Sequence, residues 1–286
     1  MKKNSVLIFG IIIVGFIFND GYKYSYLIKY LLMGMLFFPF LSVTYPKDRA
    51  VYMNVLNIFL AMTVISIFFY TLLIYANPRL ATVAFLVAFT PTATAAPVVI
   101  SFLKRNVDYV ISSVVITNSL VAVSLPFALS LVNPGQSTVS AFTVLVSTLT
   151  VVLVPLASAQ LLKKCCGELA IRLISFDRIP FFIWLVVLYL ATSRASFYLI
   201  NSDVALVVVF EIAAVSFCIC FLNFMIGKYI GGEKYSKEAS QSLGQKNTMF
   251  MVWVALEYIG PLAVMGPIFY LIYQNIYNSY LLSRMQ

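Results

Sequence analysis

The sequence predicts an all-α polytopic membrane protein with ten transmembrane helices. Three observations lead there. The 286 residues are 62% hydrophobic and only 10% charged. Mean hydropathy is +0.97. The apolar residues also run continuously instead of alternating. A soluble domain carries far more charge, and a barrel strand alternates apolar with polar positions.

A window of about 19 residues places the spans, in order, at about Ser5–Phe18, Tyr24–Val43, Val51–Ala76, Leu80–Leu103, Tyr109–Val132, Val139–Leu162, Pro180–Ile200, Ala205–Ile230, Ser236–Tyr258 and Gly260–Leu282. The first follows Met1-Lys2-Lys3 and looks like a signal peptide. Phe18-Asn19-Asp20-Gly21 is a poor cleavage site, however, so this stretch reads as a retained, rather short span. The linkers are short and carry turn formers: Asp20-Gly21, Tyr45-Pro46, Asn77-Pro78, Asn133-Pro134-Gly135, Gly231-Gly232 and Gly260-Pro261. None could hold a soluble domain, so residues 1–286 read as one membrane domain.

Basic residues in the short loops set the orientation. With the N-terminus inside, the inner side carries Lys2, Lys3, Lys47, Arg49, Lys104, Arg105, Lys163, Lys164, Arg172, Arg178, Lys228, Lys234, Lys237 and Arg284. The outer side carries Lys23, Lys29, Arg79 and Arg194. This bias predicts a cell (inner or plasma) membrane protein with both termini cytoplasmic. The net charge of +9 therefore reports topology and not nucleic-acid binding, because the cations lie between apolar runs. The absence of histidine excludes His-based triads and the usual zinc sites. Cys165, Cys166, Cys218 and Cys220 lack C-x-x-C spacing and read as inert thiols.

Two spans are interrupted. In the fourth, Pro91 and Pro97 bracket Thr92-Ala93-Thr94-Ala95-Ala96, just after Thr90. Each proline removes a helix hydrogen bond and disfavours helix in the residue before it. In the ninth, the polar knot Gln241-Ser242-Leu243-Gly244-Gln245-Lys246-Asn247 lies at the corresponding depth. Irregular backbone at such depth is tolerated only inside protein or along a cavity. A lysine near the bilayer centre costs about 2.5–3.5 kcal/mol on the mildest scale, which marks Lys246 as a functional residue. Spans four and nine are five apart, an odd number, so two five-helix repeats (1–135 and 136–286) would run in opposite orientations. Matching interruptions in two halves point to a transporter's midplane binding site. A pair of ordinary kinks in a plain bundle is the competing explanation.

The run T-P-T-A-T-A-A-P-V-V-I-S-F-L-K-R-N-V (Thr90–Val107) resembles the crossover of the bile acid:sodium symporter family, which has Cys-Pro-Gly-Gly, a Ser-Asn pair and a run ending in Lys and Asn or Asp. Pro261-Leu262-Ala263, Gly266-Pro267, Asn275-Ile276 and Leu281-Leu282 sit at that family's spacing in span ten, and Gly244 and Asn247 fit its Glu-x-Gly-x-Gln-Asn. Arsenite-efflux relatives share the fourth-span spacing but fit the last two spans worse. The resemblance covers the whole chain. It implies a core of spans 3, 4, 5, 8, 9 and 10, with 4 and 9 crossing, and a panel of spans 1, 2, 6 and 7. It further implies alternating access and an organic-anion substrate, from bile acids to small carboxylates, usually moved with sodium.

The departures concern sodium. Ala96 and Pro97 stand where the family has Ser-Asn, and the span-five hydroxyls fall at about Val110 and Val114. The ninth-span glutamate falls on Ser242 and the second site's glutamine on Lys246. Two like charges 4 Å apart repel by about 4 kcal/mol at an effective dielectric near 20, so a sodium ion beside Lys246 is disfavoured. Lys246 then replaces the coupling cation, either as a fixed counter-ion or as an amine that loads and releases a proton. A purely structural Lys246 would pair with Glu211 or snorkel to an interface. The crossover residues for substrate are Thr90, Pro91, Thr92, Thr94, Pro97, Gly244 and Asn247; the coupling residues are Lys246, Ser242 and Glu211. Asn118 and Asn223 read as packing amides, and the family's Asn275 position has no derivable role. No cofactor or metal ligand set is expected. The partners are the organic anion and membrane lipid; oligomeric state is not encoded in the pattern. An integral-membrane enzyme would need clustered acids or histidines, which are missing. A channel or a non-transporting sensor on the same fold stays open.

Overall fold

The computed structural model describes residues 2–42, 48–132, 140–174, 176, 178–202 and 204–283. Lys47, Arg284, Tyr45-Pro46, Asn133-Pro134-Gly135 and the boundary between the two expected repeats lie outside them. The described chain is all helix: α1 (Lys2–Ile17), α2 (Ile28–Leu41), α3 (Arg49–Leu73), α4 (Pro78–Ala88), α5 (Ala96–Phe102), α6 (Val107–Val132), α7 (Ala141–Cys165), α8 (Gly167–Ile174), α9 (Arg178–Ile200), α10 (Leu206–Gly244), α11 (Thr248–Tyr258) and α12 (Met265–Ser283). Short 3-10 turns cover Asn19–Leu27 and Pro261–Val264.

Local chemistry starts and stops these helices. The Asp48 carboxylate accepts from the Ala50 amide at 2.9 Å at the head of α3. The Asn77 side chain accepts from the Leu80 amide at 3.1 Å, with Pro78 opening α4. Asn106 and Ser140 do the same for α6 and α7. Each cap satisfies a backbone N–H that has no partner within its own helix. Helix α10 is two limbs joined at Gly232, whose φ of 56° suits glycine. The limbs close tightly, because a Cβ on Gly227 would lie 2.6 Å from the Ala239 carbonyl oxygen. The Gly231-Gly232 turn expected between two spans is therefore present as this sharp reversal.

Among the described residues, six helices are long and apolar enough to cross a membrane: the stretch Asn19–Leu41, Arg49–Leu73, Val107–Val132, Ala141–Cys165, Ile179–Ile200 and Leu206–Gly244. Large apolar side chains such as Leu60, Phe68, Leu72, Phe142 and Phe210 point outward, a surface that suits lipid. The chain is thus an α-helical membrane protein. Helices α1, α2, α7 and α9 pack on one another, while α3, α4, α5, α6, α10 and α12 form a second set; α6 packs extensively on α7 to join the two, and α11 touches α2, α4, α9 and α12. Helix α4 is enclosed by the second set; every residue from Leu80 to Ala88 is buried.

Candidate functional site: a buried crossover of two interrupted helices

Both predicted interruptions are present, and they meet. Residues between α4 and α5 run antiparallel to those between α10 and α11, with Thr92 opposite Lys246. The Ala93 amide donates to the Gln245 carbonyl and the Asn247 amide to the Pro91 carbonyl, both at 2.8 Å. Each break thus supplies partners for backbone groups that the other frees, which buried polar backbone requires.

Side chains brace the bridge. In an unbroken helix the Thr92 amide would donate to the Ala88 carbonyl. Here it donates to Thr117 Oγ1 at 3.0 Å. Pro91 likewise has no N–H for the Val87 carbonyl. The freed Ala88 carbonyl accepts instead from Lys246 Nζ at 3.1 Å. An ammonium at the carbonyl end of α4 also meets the negative end of that helix's dipole. Thr92 Oγ1 donates to the Ser242 carbonyl at 2.7 Å. Asn118 Nδ2 donates to the Thr92 carbonyl at 3.0 Å, and its Oδ1 accepts from Asn247 Nδ2 at 3.1 Å. Asn118 is therefore a brace of the crossover and more than a packing amide. Asn247 also caps α11 through the Phe250 amide.

Helix α12 closes the other side with residues spaced four apart. Tyr270 donates to the Gly244 carbonyl at 2.7 Å. Gln274 Oε1 accepts from the Lys246 amide at 2.8 Å, and its Nε2 donates to the Lys246 carbonyl at 3.3 Å. Asn278 Oδ1 accepts from Gln241 Nε2 at 3.1 Å. Gly244 is needed for close approach, since a Cβ there would be driven into the Phe224 ring. The Tyr270, Gln274, Asn278 stripe has i, i+4, i+8 spacing in an apolar span, a signal that sequence reading passed over in favour of Asn275. Asn275 bonds only the Leu271 carbonyl of its own helix among the contacts seen.

Of the residues singled out beforehand, Pro91, Thr92, Ser242, Gly244, Lys246 and Asn247 come together at the crossing. Thr90 is buried, but its hydroxyl donates back to the Leu86 carbonyl. Thr94 is half-buried, and Pro97 opens α5. Glu211 is not at the crossing: its carboxylate accepts from Asn77 Nδ2 at 3.1 Å. Asn77 and Ala88 sit at opposite ends of α4, about 16 Å apart at the helical rise. Lys246 is 2% exposed and forms no ion pair among the described residues. Ser242 Oγ and the side-chain carbonyls of Gln241 and Gln245 are buried without a partner among the described residues. A cavity of about 450 Å3 lies at the Asn77 end of α4, lined by Tyr70, Pro78, Arg79, Thr82, Tyr198 and Pro261 among others.

The residues at the expected sodium position do not suit that ion, which binds through several oxygen ligands. Ala96 and Pro97 offer no side-chain oxygen, Val110 and Val114 are fully buried carbon, and the Lys246 side chain, a hydrogen-bond donor, fills the crossing. No family model and no curated protein matches the chain.

Proposed function

We propose that this protein is a secondary transporter of an organic anion in a cell (inner or plasma) membrane, working by alternating access without sodium and with Lys246 as its built-in cation. One observation carries the reading: a fully buried lysine holds the end of one interrupted helix from within a second, antiparallel interruption. Two such breaks five spans apart are the arrangement of transporters built from inverted repeats. The bracing supports the same reading. The first break is held from the next span by Thr117 and Asn118 of α6, the second from the next span by Tyr270 and Gln274 of α12. That correspondence favours ten spans in two repeats (1–135 and 136–286) and a fold like that of the bile acid:sodium symporters. The packing of α1, α2, α7 and α9 on one another supports a panel that moves against a core, with α6 against α7 as a contact between the two.

Lys246 has two ways to serve. Permanently charged, it makes the carrier a uniporter or exchanger; loading and releasing a proton, it couples flux to a pH gradient. Reconstituted protein is expected to show saturable counterflow of a carboxylate. Ohmic currents in a planar bilayer would make it a channel, and ligand binding without flux would make it a sensor.

A further inference from the structure

Lys29 lies near the start of α2. Its Nζ donates to Ser147 Oγ of α7 at 2.9 Å and stands 5.8 Å from the centroid of the Trp253 ring of α11. Lys29 forms no ion pair among the described residues and is half-buried. A hydroxyl and an aromatic face are weak company for an ammonium. The group is thus a half-buried cation whose hydrogen-bond partner is a neutral hydroxyl.

A second observation is independent of it. Trp253 is 3% exposed, and its indole N–H is buried without a partner. Buried indole N–H groups usually find an acceptor. Two donors, one cationic and one neutral, therefore stand at the same ring; Lys29 has only the neutral Ser147 hydroxyl as acceptor, and the indole N–H has none among the described residues. Phe250 and Tyr258 meet Trp253 edge-on, with centroids 5.8 and 5.9 Å away, so the polar spot borders an aromatic wall. The spot also lies at the contact between the α1, α2, α7, α9 set and the second half of the broken span, the seam that rocking would open.

We infer that Lys29 and the Trp253 indole N–H bind the acid group of an amphipathic organic anion, with Phe250, Trp253 and Tyr258 packing against its apolar body. This deepens the transport reading and rests on it for the direction of motion, but the binding site stands on its own contacts. A carboxylate or sulfonate fits the donor pair; a cation or a neutral sugar does not. Displacement of Ser147 by the anion gives Lys29 an ion-paired hydrogen bond in place of one to a neutral acceptor.

The test uses the protein's two tryptophans. In a Trp184→Phe background Trp253 is the sole indole fluorophore. Purified protein in nanodiscs is titrated with cholate, benzoate and succinate as N-methylglucamine salts, with the chloride salt as ionic-strength control. We expect cholate or benzoate to shift Trp253 emission saturably, Lys29→Gln to weaken that binding tenfold or more, and Lys29→Arg to stay within about threefold. Binding by Lys29→Gln equal to that of the parent overturns the site. No emission change with any of the three acids overturns it too. Counterflow of the same acid is read in parallel. Flux that is unaffected by Lys29→Gln refutes the site and leaves the carrier intact. Lys29-dependent binding with no flux in the parent keeps the site and refutes the carrier.

Discussion

The break between α4 and α5 is bracketed by Pro91 and Pro97, whereas the break between α10 and α11 contains no proline and is held by side chains from α12. In the first, the interruption is covalent: two rings remove amide donors, and neighbours merely tidy the freed carbonyls. In the second, Gly244, Gln245 and Lys246 could continue a helix as far as bond geometry is concerned. What stops them is tertiary: the Lys246 amide and carbonyl are both taken by Gln274, the Gly244 carbonyl by Tyr270, and the Asn247 amide by Pro91. The first break can be expected to survive the loss of a neighbour. The second depends on them.

That contrast can be broken most severely at Gly244. Gly244→Leu puts a branched side chain into Phe224; overpacking of this kind costs about 3 kcal/mol or more. The expected result is a melting temperature lowered by about 6 °C or more, or failure to assemble. Gly244→Ala, in the same thermal assay, should fall in the same direction but less. A Gly244→Leu protein as stable as wild type would mean that the two limbs do not cross as described.

Gln274→Leu sharpens the comparison. It leaves the Lys246 amide unpartnered in an apolar site, a cost of about 1–3 kcal/mol, while the Lys246 carbonyl keeps the Thr248 amide, and should loosen α11 in hydrogen exchange while the α4–α5 segment stays protected. Asn275→Ala, which removes a bond within its own helix, serves as the control and is expected within about 0.5 kcal/mol of wild type. Equal losses for the two variants would contradict the bracing by α12.

The smallest effect lies at the exposed end of the molecule. Lys234 first, then the Ala50 amide and Tyr235, hold the Asp48 carboxyl at about 2, below its ordinary 3.8. A carboxyl depressed in the folded state stabilises above its unfolded value and loses that contribution as pH falls through the folded one. Wild type should therefore lose a small increment of stability between about pH 4 and pH 2 that Asp48→Asn lacks. Acid melts that run parallel for the two proteins would remove Asp48 from the account.

Sequence patterning made the apolar helices, the proline break and the polar knot legible because each is written in consecutive residues. Asn77-Pro78, Gly231-Gly232 and Gly260-Pro261 also announced their turns through backbone chemistry. Partners across space were not legible, because they depend on how each helix is rotated and how far it slides. Glu211 looked as available to Lys246 as any acid, yet lies an α4 length away beside Asn77. Asn275 drew attention by family spacing, while Gln274, one residue earlier and therefore about 100° around the helix, faces the knot. Lys29 was counted as a loop charge, since nothing in its neighbours along the chain reveals Ser147 or Trp253. Helices α4 and α11 are eleven residues each and too short to cross alone, so breaks that look like defects in a hydropathy plot are the centre of the structure.

The central claim is that Lys246 stands in for a coupling cation, and counterflow in proteoliposomes with and without sodium tests it most directly. The account predicts the same carboxylate flux in sodium and in N-methylglucamine buffers for wild type, with Lys246→Gln losing most of it in both. Wild-type flux that collapses when sodium is withdrawn would contradict the account.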